Sequence, residues 1–423
     1  MGQGRNMKKF SFLIRSLGCK VSQYDGERLA EKLGNLGLVA DESNPDIFIL
    51  NGCSVTGRAS QKVRQTLRAA RKRWPGVKIV LAGCEARLRG QRHEESPEAD
   101  CVLPHYDDFA TVLEMVQKLL PQFIYDPHGE SEPGPLTSRT RAFLKVQDGC
   151  NQFCSYCIVS HLRGEEWSRP IDDAVAEAQK LVEEGHKELV LTGIHLGHFR
   201  PSLLDLLTAL EKIPGLQRLR LSSIEPIEVD EALIEWVASS AKACAHFHLP
   251  LQSGSDTILQ AMRRPYTTAD FRRVVEKIRA RMPLAAISTD LIVGFPGETD
   301  ELFAETMRFL EEMQFSRLHI FKFSPRDGTP AATMPGQIGN ALKSQRSHQV
   351  EQLWQRCAAN FHRCFIGRAV EVLWETCTDG FLHGFSREYV PCRMPSADAS
   401  GLNQIMLVNG VDLAEGDLLV TEA

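Results

Sequence analysis

Gln147-Asp-Gly-Cys-Asn-Gln-Phe-Cys-Ser-Tyr-Cys-Ile158 closes a strand-like run, Ala142-Phe-Leu-Lys-Val-Gln147. Its cysteines, Cys150, Cys154 and Cys157, read C-x3-C-x2-C and supply three thiolates from one short loop. Iron–sulfur clusters are held by cysteine thiolates. A cubane held by three of them keeps one iron open, and an open position on a metal is where a substrate or cofactor binds. The alternative is a structural zinc loop, which is usually built from paired C-x2-4-C hooks. Zinc would need a fourth ligand nearby, and His161 is the only candidate.

Around this loop the chain alternates strands and helices. Six strand candidates are Phe143–Gln147, Glu188–Thr192, Arg218–Ser222, His246–Pro250, Ile287–Val293 and Arg317–Phe323. Helical patterns lie between them, as at Asp172–Glu184, Asp230–Ala243 and Asp300–Met313. Such alternation predicts a parallel sheet, and six units predict a partial (β/α)6 barrel rather than a full eight-fold one. Chemistry in such sheets gathers at the C-terminal ends of the strands. Those ends read Thr192-Gly-Ile-His195, Ser222-Ser-Ile-Glu225, Leu249-Pro-Leu-Gln-Ser-Gly-Ser-Asp256 and Asp290-Leu-Ile-Val-Gly-Phe-Pro-Gly-Glu298. A lone glycine after a strand is usually a turn; four such ends around one cysteine loop point to a site.

The N-terminal part is predicted to be a second parallel-sheet α/β domain. Ser11-Phe-Leu-Ile-Arg-Ser-Leu-Gly-Cys19, Asp46-Ile-Phe-Ile-Leu-Asn-Gly-Cys53 and Lys78-Ile-Val-Leu-Ala-Gly-Cys84 share one form, an apolar strand followed by Gly-Cys. Parallel strands would bring Cys19, Cys53 and Cys84 to one sheet edge, as a second open-iron cluster. The alternative is that buried cysteines simply pack well. Cys101 falls outside the pattern, and Cys244, Cys357, Cys364, Cys377 and Cys392 read as structural.

The expected domains are 8–125, holding the second triad, 136–365, the core with a following helix over Leu342–Phe365, and 366–423. The last carries short β-rich runs at Ala369–Trp374, Ile405–Val408 and Asp417–Thr421 and is predicted to be a small β-barrel. Asp126–Pro135 reads as a turn-rich linker. The chain has 423 residues, 43% hydrophobic and 24% charged, an ordinary globular composition. No apolar run reaches a membrane span, and the N-terminus has no signal pattern, so a cytoplasmic protein is expected, not a membrane one. Its twelve cysteines then read as metal ligands or buried thiols rather than disulfides.

The segment 147–158 resembles the radical S-adenosylmethionine (SAM) enzymes. The whole chain resembles the methylthiotransferases among them, and within these the tRNA-directed MtaB group. That resemblance implies two 4Fe–4S clusters, one on Cys150, Cys154 and Cys157 with SAM on the open iron, the other on Cys19, Cys53 and Cys84. It implies that Thr192 and Gly193 meet the SAM amino group. Glu225, Gln252, Val293 and Phe295 would line the cofactor, and Tyr156 would approach the adenine. The C-terminal barrel resembles the family's TRAM domain, usually an RNA-binding module. Implied partners are the tRNA anticodon stem-loop and an electron donor such as a flavodoxin-type reductant. Oligomeric state is left open, with a monomer as the expectation.

Family members divide by acceptor: threonylcarbamoyladenosine in tRNA, isopentenyladenosine in tRNA, or an aspartate of a ribosomal protein. Leu17-Gly-Cys-Lys-Val-Ser-Gln-Tyr-Asp25, Arg220-Leu-Ser-Ser-Ile-Glu-Pro226 and Gly193-Ile-His-Leu-Gly197 look most like the first. The expected activity is therefore methylthiolation at C2 of N6-threonylcarbamoyladenosine. The chain departs from the pattern at Ser22, Ser160 and Trp167, the last where an Arg is usual. A reading from another class is a non-catalytic iron–sulfur or zinc-binding RNA module, which would not need the loaded strand ends. Charge divides the chain. Arg58, Lys62, Arg64, Arg68, Arg71, Lys72 and Arg73 run without an acid, and Arg64, Arg68 and Arg71 would share a helix face able to meet phosphates. The null alternative is a solvated helix face. The tail from Gly367 has three Arg, no Lys and nine acids, a formal −6 against −5 for the chain. Such a barrel cannot bind RNA mainly through counterion release.

Overall fold

Apolar runs without alternation must be covered on both faces, and this shapes the N-terminal sheet. The computed structural model describes residues 9–126, 139–396 and 398–422. Most of the expected linker, from Pro127, lies outside the described residues. Strands β1 (Ser11–Ser16), β2 (Val39–Ala40), β3 (Ile47–Asn51), β4 (Lys78–Ala82) and β5 (Cys101–Leu103) are parallel, in the order β2-β1-β3-β4-β5. The helices of this unit are α1 (Lys20–Asn35), α2 (Gly57–Arg73), α3 (Gly83–Arg92) and α4 (Phe109–Leu119). Ile47 and Ile49 of β3 bury against Leu29 and Leu33 of α1 and Val112 and Val116 of α4. Phe48 and Leu50, pointing the other way, bury against Val63, Leu67 and Ala70 of α2. Helix α2 begins where the Thr56 side chain accepts from Ala59 N at 3.1 Å, satisfying an orphan N–H. The same compact unit takes in residues 158–164. There α5 (Val159–Arg163) buries Leu162, with Ile158 before it, against Cys84 and Leu88.

The second unit runs from Arg139 to Cys157 and onward from Glu165. Its strands are β6 (Arg141–Lys145), the short pair β7 (Gln147–Asp148) and β8 (Trp167–Ser168), then β9 (Glu188–Thr192), β10 (Arg218–Leu221), β11 (His246–His248), β12 (Ala286–Val293) and β13 (Arg317–Lys322). Strands β6, β9 and β10 form one parallel ladder, and β11, β12 and β13 another. Between β10 and β11 only the parallel bridges Leu219–Ala243 and Ser223–His248 remain. The six expected strands are thus present, in chain order, as an open partial barrel. Around them lie α6 (Ile171–Glu183), α7 (Leu203–Glu211), α8 (Glu231–Ser239), α9 (Asp256–Ala261), α10 (Thr268–Arg281), α11 (Asp300–Met313) and α12 (Asn340–Arg363). Helix α10 opens on a capping box between Thr267 and Asp270. Helix α8 stops at Ser239, before the expected Ala243, where the Ser240 hydroxyl accepts from Lys242 N and Ala243 N.

The C-terminal strands β14 (Ala369–Thr378), β15 (Phe381–Ser386), β16 (Pro391–Pro395), β17 (Ile405–Ala414) and β18 (Asp417–Glu422) close into a barrel in the order β14-β15-β16-β18-β17. Trp374, Val372, Val408, Leu418 and Val420 fill it. Two of its strands, β15 and β16, are absent from the sequence reading. Phe-Leu-His-Gly-Phe-Ser and Pro-Cys-Arg-Met-Pro are broken by Gly, His and Pro, and only alternate positions are buried.

The barrel belongs to the second unit, and buried charge holds it there. At the N-terminal ends of β9 and β10, opposite the cysteine loop, Arg218 and Arg220 are fully buried beside Glu188. Arg218 donates to Glu371 Oε1 at 2.9 Å and to Phe385 O at 3.1 Å. Arg220 donates to Glu188 at 2.6 Å and to Arg387 O at 3.0 Å. The guanidinium of Arg220 also lies 4.7 Å from the Tyr389 ring centre. Burial would raise the Glu188 carboxyl, but Arg220, Arg141 and Arg218 outweigh it and hold it down at about 2. A carboxyl depressed in the fold stabilises above its unfolded value, near 4.5, and that stability is lost as pH falls toward 2. Replacing Glu188 with Ala leaves two guanidinium groups buried without their counter-ion. A loss of about 3–5 kcal/mol is expected in a denaturant titration near neutral pH. A loss under about 1 kcal/mol would show that the arginines find other partners.

Candidate functional site

The loop after β6 is set by its glycine and by Gln147. Gly149 has φ +77°, and a Cβ there would lie 2.0 Å from Glu165 O, so the turn admits no side chain. Gln147, fully buried, donates to Asp148 O and Gly149 O, each at 2.9 Å, and accepts from His195 N at 2.7 Å. It therefore ties the start of the cysteine loop to the end of β9. Cys154 is buried; Cys150 and Cys157 are partly open.

Arg264, just after α9, reaches Cys154 Sγ at 3.2 Å and Gln152 Oε1 at 3.3 Å. The same guanidinium pairs with Glu225 from the end of β10 and donates to Tyr266 OH at 3.0 Å. So Glu225 and Cys154 are brought together through an arginine that the sequence reading did not single out. No spacing rule points to it, since it lies 110 positions from Cys154.

The remaining strand-end residues leave the parallel ladders on the same side. Thr192 is buried, and neither its Oγ1 nor Ser222 Oγ has a hydrogen-bond partner among the described residues. Buried orphan hydroxyls of this kind suit a polar ligand. Gly193 follows β9. Gln252 is held in the left-handed region at φ 66° by bonds to Asp290 O and from Ile292 N. Val293 and Phe295 are fully buried at the end of β12. Tyr156 packs on the cluster that contains Phe295, Phe323 and Ile258. Burial raises the Tyr156 hydroxyl well above its ordinary range, against the pull of Arg264. The strand end is pinned from α12, where Arg346 donates to Glu298 Oε2 at 2.7 Å and Glu298 accepts from Gly294 N at 2.8 Å.

In the first unit the three Gly-Cys ends follow adjacent parallel strands, β1, β3 and β4. Cys19 caps α1, Cys53 lies in the loop after β3, and Cys84 enters α3. A Cβ at Gly18 would lie 3.4 Å from Cys53 Cβ. Gly83 has φ +78°, and a Cβ there would meet Asn51 Oδ1 at 1.9 Å. Cys19 is exposed, Cys53 partly open and Cys84 buried; Arg163, Cys84 and Asp25 are the charged or titratable groups around the Cys19 thiol. Arg163 of α5 lies 3.7 Å from Cys84 Sγ and 3.0 Å from Asp25. Ser22 Oγ, Asn51 Oδ1 and Ser54 Oγ are buried there without hydrogen bonds to any described residue. The sequence reading missed Arg163 as a member of this triad's surroundings, because it follows the other triad in the chain.

Among the described residues, neither triad gathers its three sulfurs within 4.8 Å. One zinc ion with bonds of about 2.3 Å would hold them about 3.8 Å apart. His161, the zinc reading's fourth ligand, is exposed on α5. Three cysteines per site are the donor set of a cluster rather than of one ion. Among the described residues no disulfide joins any of the twelve cysteines; Cys244, Cys357 and Cys392 are buried, whereas Cys364 is exposed.

The α2 cations are less available than the sequence suggests. Arg68 pairs with Glu98 at 2.9 Å, and Arg71 pairs with Asp100 at 2.7 Å and donates to Val77 O. Arg64 lies half-buried on the same helix. No helix among the described residues is long and apolar enough to cross a membrane.

Residues 144–310 match the model of the radical SAM superfamily, and the partial barrel with its three-cysteine loop defines that class. Residues 11–104 match the uncharacterized protein family UPF0004. The structure is similar in fold to a radical SAM methyltransferase, TsrM of Kitasatospora setae, with TM-score 0.54 and 15% identity over 77% of this chain and 74% of that one. In sequence the chain is 37% identical to the threonylcarbamoyladenosine tRNA methylthiotransferase MtaB of Thermotoga maritima, covering 89% of each. It is 35% identical to the Bacillus subtilis protein of that name, over 86% of this chain and 84% of that one. A tRNA-2-methylthio-N(6)-dimethylallyladenosine synthase of Syntrophus aciditrophicus is 32% identical over 98% and 92%. The chain belongs to the methylthiotransferase family of radical SAM enzymes.

Gly149→Ala tests the cysteine loop. The substitution forces a side chain into a left-handed turn against a backbone oxygen, and strain of this kind costs on the order of 1–3 kcal/mol. Helix content by circular dichroism should persist, while iron bound after anaerobic reconstitution should fall by about half, one of two three-thiolate sites being lost. Full iron in this variant would show that the turn does not set the loop.

Proposed function

We propose that this enzyme adds a methylthio group to C2 of N6-threonylcarbamoyladenosine beside the anticodon of tRNA. The observation that carries the reading is one chain with two cysteine triads, each at the C-terminal edge of a parallel sheet, in a family whose similar members bear that activity in their names. In this reading Cys150, Cys154 and Cys157 hold one 4Fe–4S cluster, and Cys19, Cys53 and Cys84 hold the other. When bound, the first cluster with SAM supplies radical chemistry, and the second supplies sulfur.

The chain's own residues orient and enclose these groups. Arg264 donates to Cys154 and holds Glu225 in place, and a charge-assisted donor of this kind stabilises a thiolate. The orphan hydroxyls of Thr192 and Ser222 offer acceptors or donors to the SAM amino acid moiety. Gly193 lets the end of β9 close against Gln147, whose Oε1 would lie 3.0 Å from a Cβ there. Gln252 stands beyond the end of β11, and Val293 and Phe295 wall the strand ends with apolar surface that excludes water. Tyr156, kept protonated by burial, presents a ring and a hydroxyl to the adenine. In the first unit Arg163 lies against Cys84 and Asp25, offsetting the negative charge of three thiolates. An unpaired anticodon-loop base can enter such a pocket, since its edges are not stacked away. A flavodoxin-type reductant supplies the electron, and the enzyme acts in the cytoplasm as a monomer.

Mass analysis of tRNA nucleosides from a strain lacking the gene tests the acceptor. The methylthio derivative of threonylcarbamoyladenosine should vanish and return with the wild-type gene. Loss of methylthio-isopentenyladenosine instead, or no change in tRNA with loss of a methylthiolated protein aspartate, would replace the acceptor named here.

Cysteine variants separate the two sites. With Cys150, Cys154 and Cys157 all changed to Ala, about half the iron and all SAM cleavage should be lost. With Cys19, Cys53 and Cys84 changed, SAM cleavage should persist and methylthiolated product should disappear. Product from the second variant would end the sulfur role of that triad. For tRNA, changing Arg64, Arg68 and Arg71 to Glu should lower the log–log salt slope of binding by roughly 0.7–0.9 per lost phosphate contact. An unchanged slope would place the RNA elsewhere.

A further inference from the structure

Beside the cysteine loop stands a cluster that the reading above does not use. His195 precedes a short 3-10 turn, Leu196–His198, whose last residue is His198, and the two rings stack at 3.7 Å with 21° between planes. Both Nδ1 atoms face Glu166, at 3.2 Å from His195 and 3.0 Å from His198. Both Nε2 atoms face Glu228 Oε1, at 2.6 Å and 3.1 Å. Two imidazoles are thus held between the same two carboxylates.

We propose that His195 Nε2, His198 Nε2 and the Glu228 carboxylate form a site for a divalent transition-metal ion, with Glu166 as the outer partner of both rings. A ring nitrogen facing a carboxylate needs a proton or a cation between them. If each Nδ1–H donates to Glu166, both Nε2 lone pairs turn toward Glu228, and a cation completes the arrangement. Metal-ligating histidines are held in this manner, the second ring N–H donating to a carboxylate.

Three further observations support the site. His195 Nε2 and both Glu228 oxygens are buried with no aligned hydrogen bond, close as they are, and buried polar atoms are otherwise paired. A Cβ at Gly197 would lie 1.8 Å from Glu228 Oε2, so the missing side chain is what lets this carboxylate approach. His198 is 36% exposed and leaves an entry path from solvent. Two imidazoles and one carboxylate suit zinc, iron or manganese better than magnesium or calcium, and leave further coordination positions open. The proposal depends on these donors alone and stands whichever acceptor the enzyme uses.

Zinc is the probe. Anaerobically reconstituted enzyme is equilibrated with Zn2+, desalted, and analysed for zinc and iron by mass spectrometry, beside His198→Ala and Glu228→Gln. About one zinc per chain in excess of either variant is expected, with iron unchanged. Glu228→Gln keeps the side-chain shape and serves as the milder variant. Wild-type enzyme without zinc, or zinc equal in all three proteins, would overturn the site and leave a protonated quartet.

Discussion

Parallel strands end together, and almost everything chemical in this protein follows from that constraint. In the first unit β1, β3 and β4 pair in register, Ile14 beside Ile49 and Ile49 beside Val80. Cys19, Cys53 and Cys84 therefore leave the sheet at one edge, though 65 residues separate the first from the last. In the second unit the ends of β6, β9, β10 and β12 deliver Cys150, Thr192, Ser222 and Val293 to one side in the same way. Strands that do this are covered on both faces, which is why their sequences are apolar without alternation. Glycine at the strand end lets a loop turn sharply where a bulky group would sit, as at Gly83 and Gly149.

This separation of ends also divides the labour within the barrel. The C-terminal edge carries thiols, glycines and orphan hydroxyls, groups that gain by meeting a ligand. The N-terminal edge carries Arg218, Arg220 and Glu188, which are fully buried and mutually satisfied. A buried ion cluster is a weak source of net stability but a strong one of specificity, because any docking that leaves a member unpaired is costly. Here the guanidinium groups accept only the arrangement in which Phe385 O, Ser386 O and Arg387 O reach them.

Much of this was legible in the sequence. Glu188–Thr192 and Asp300–Met313 end where periodicity puts them, because each is apolar in one pattern and bounded by Gly or by a Thr cap. The two cysteine triads stand out as local patterns, one as C-x3-C-x2-C in a single loop and the other as strand-then-Gly-Cys repeated three times. Strands β15 and β16 were not, since their inward positions include Gly384, Ser386 and Cys392, small residues that carry little hydrophobic signal. Arg264, Arg163 and Glu228 were not legible for a different reason. Each is a lone charged residue whose partner comes from another strand end, and nothing within a few positions announces that partner.

The same limit governs the charges. Read along the chain, α2 is a block of cations and the C-terminal barrel a block of acids. Read across space, Arg68 and Arg71 are matched by Glu98 and Asp100. Glu371 and Glu375 of the barrel are matched by Arg218 and Arg141 of the parallel sheet. Two of the barrel's nine acids are thus counter-ions for core arginines, so its formal −6 overstates the field it presents to a polyanion. The barrel's acidity then counts first as a docking requirement of the fold. Repulsion of RNA is set by the acids that face solvent unpaired, a smaller and differently placed set.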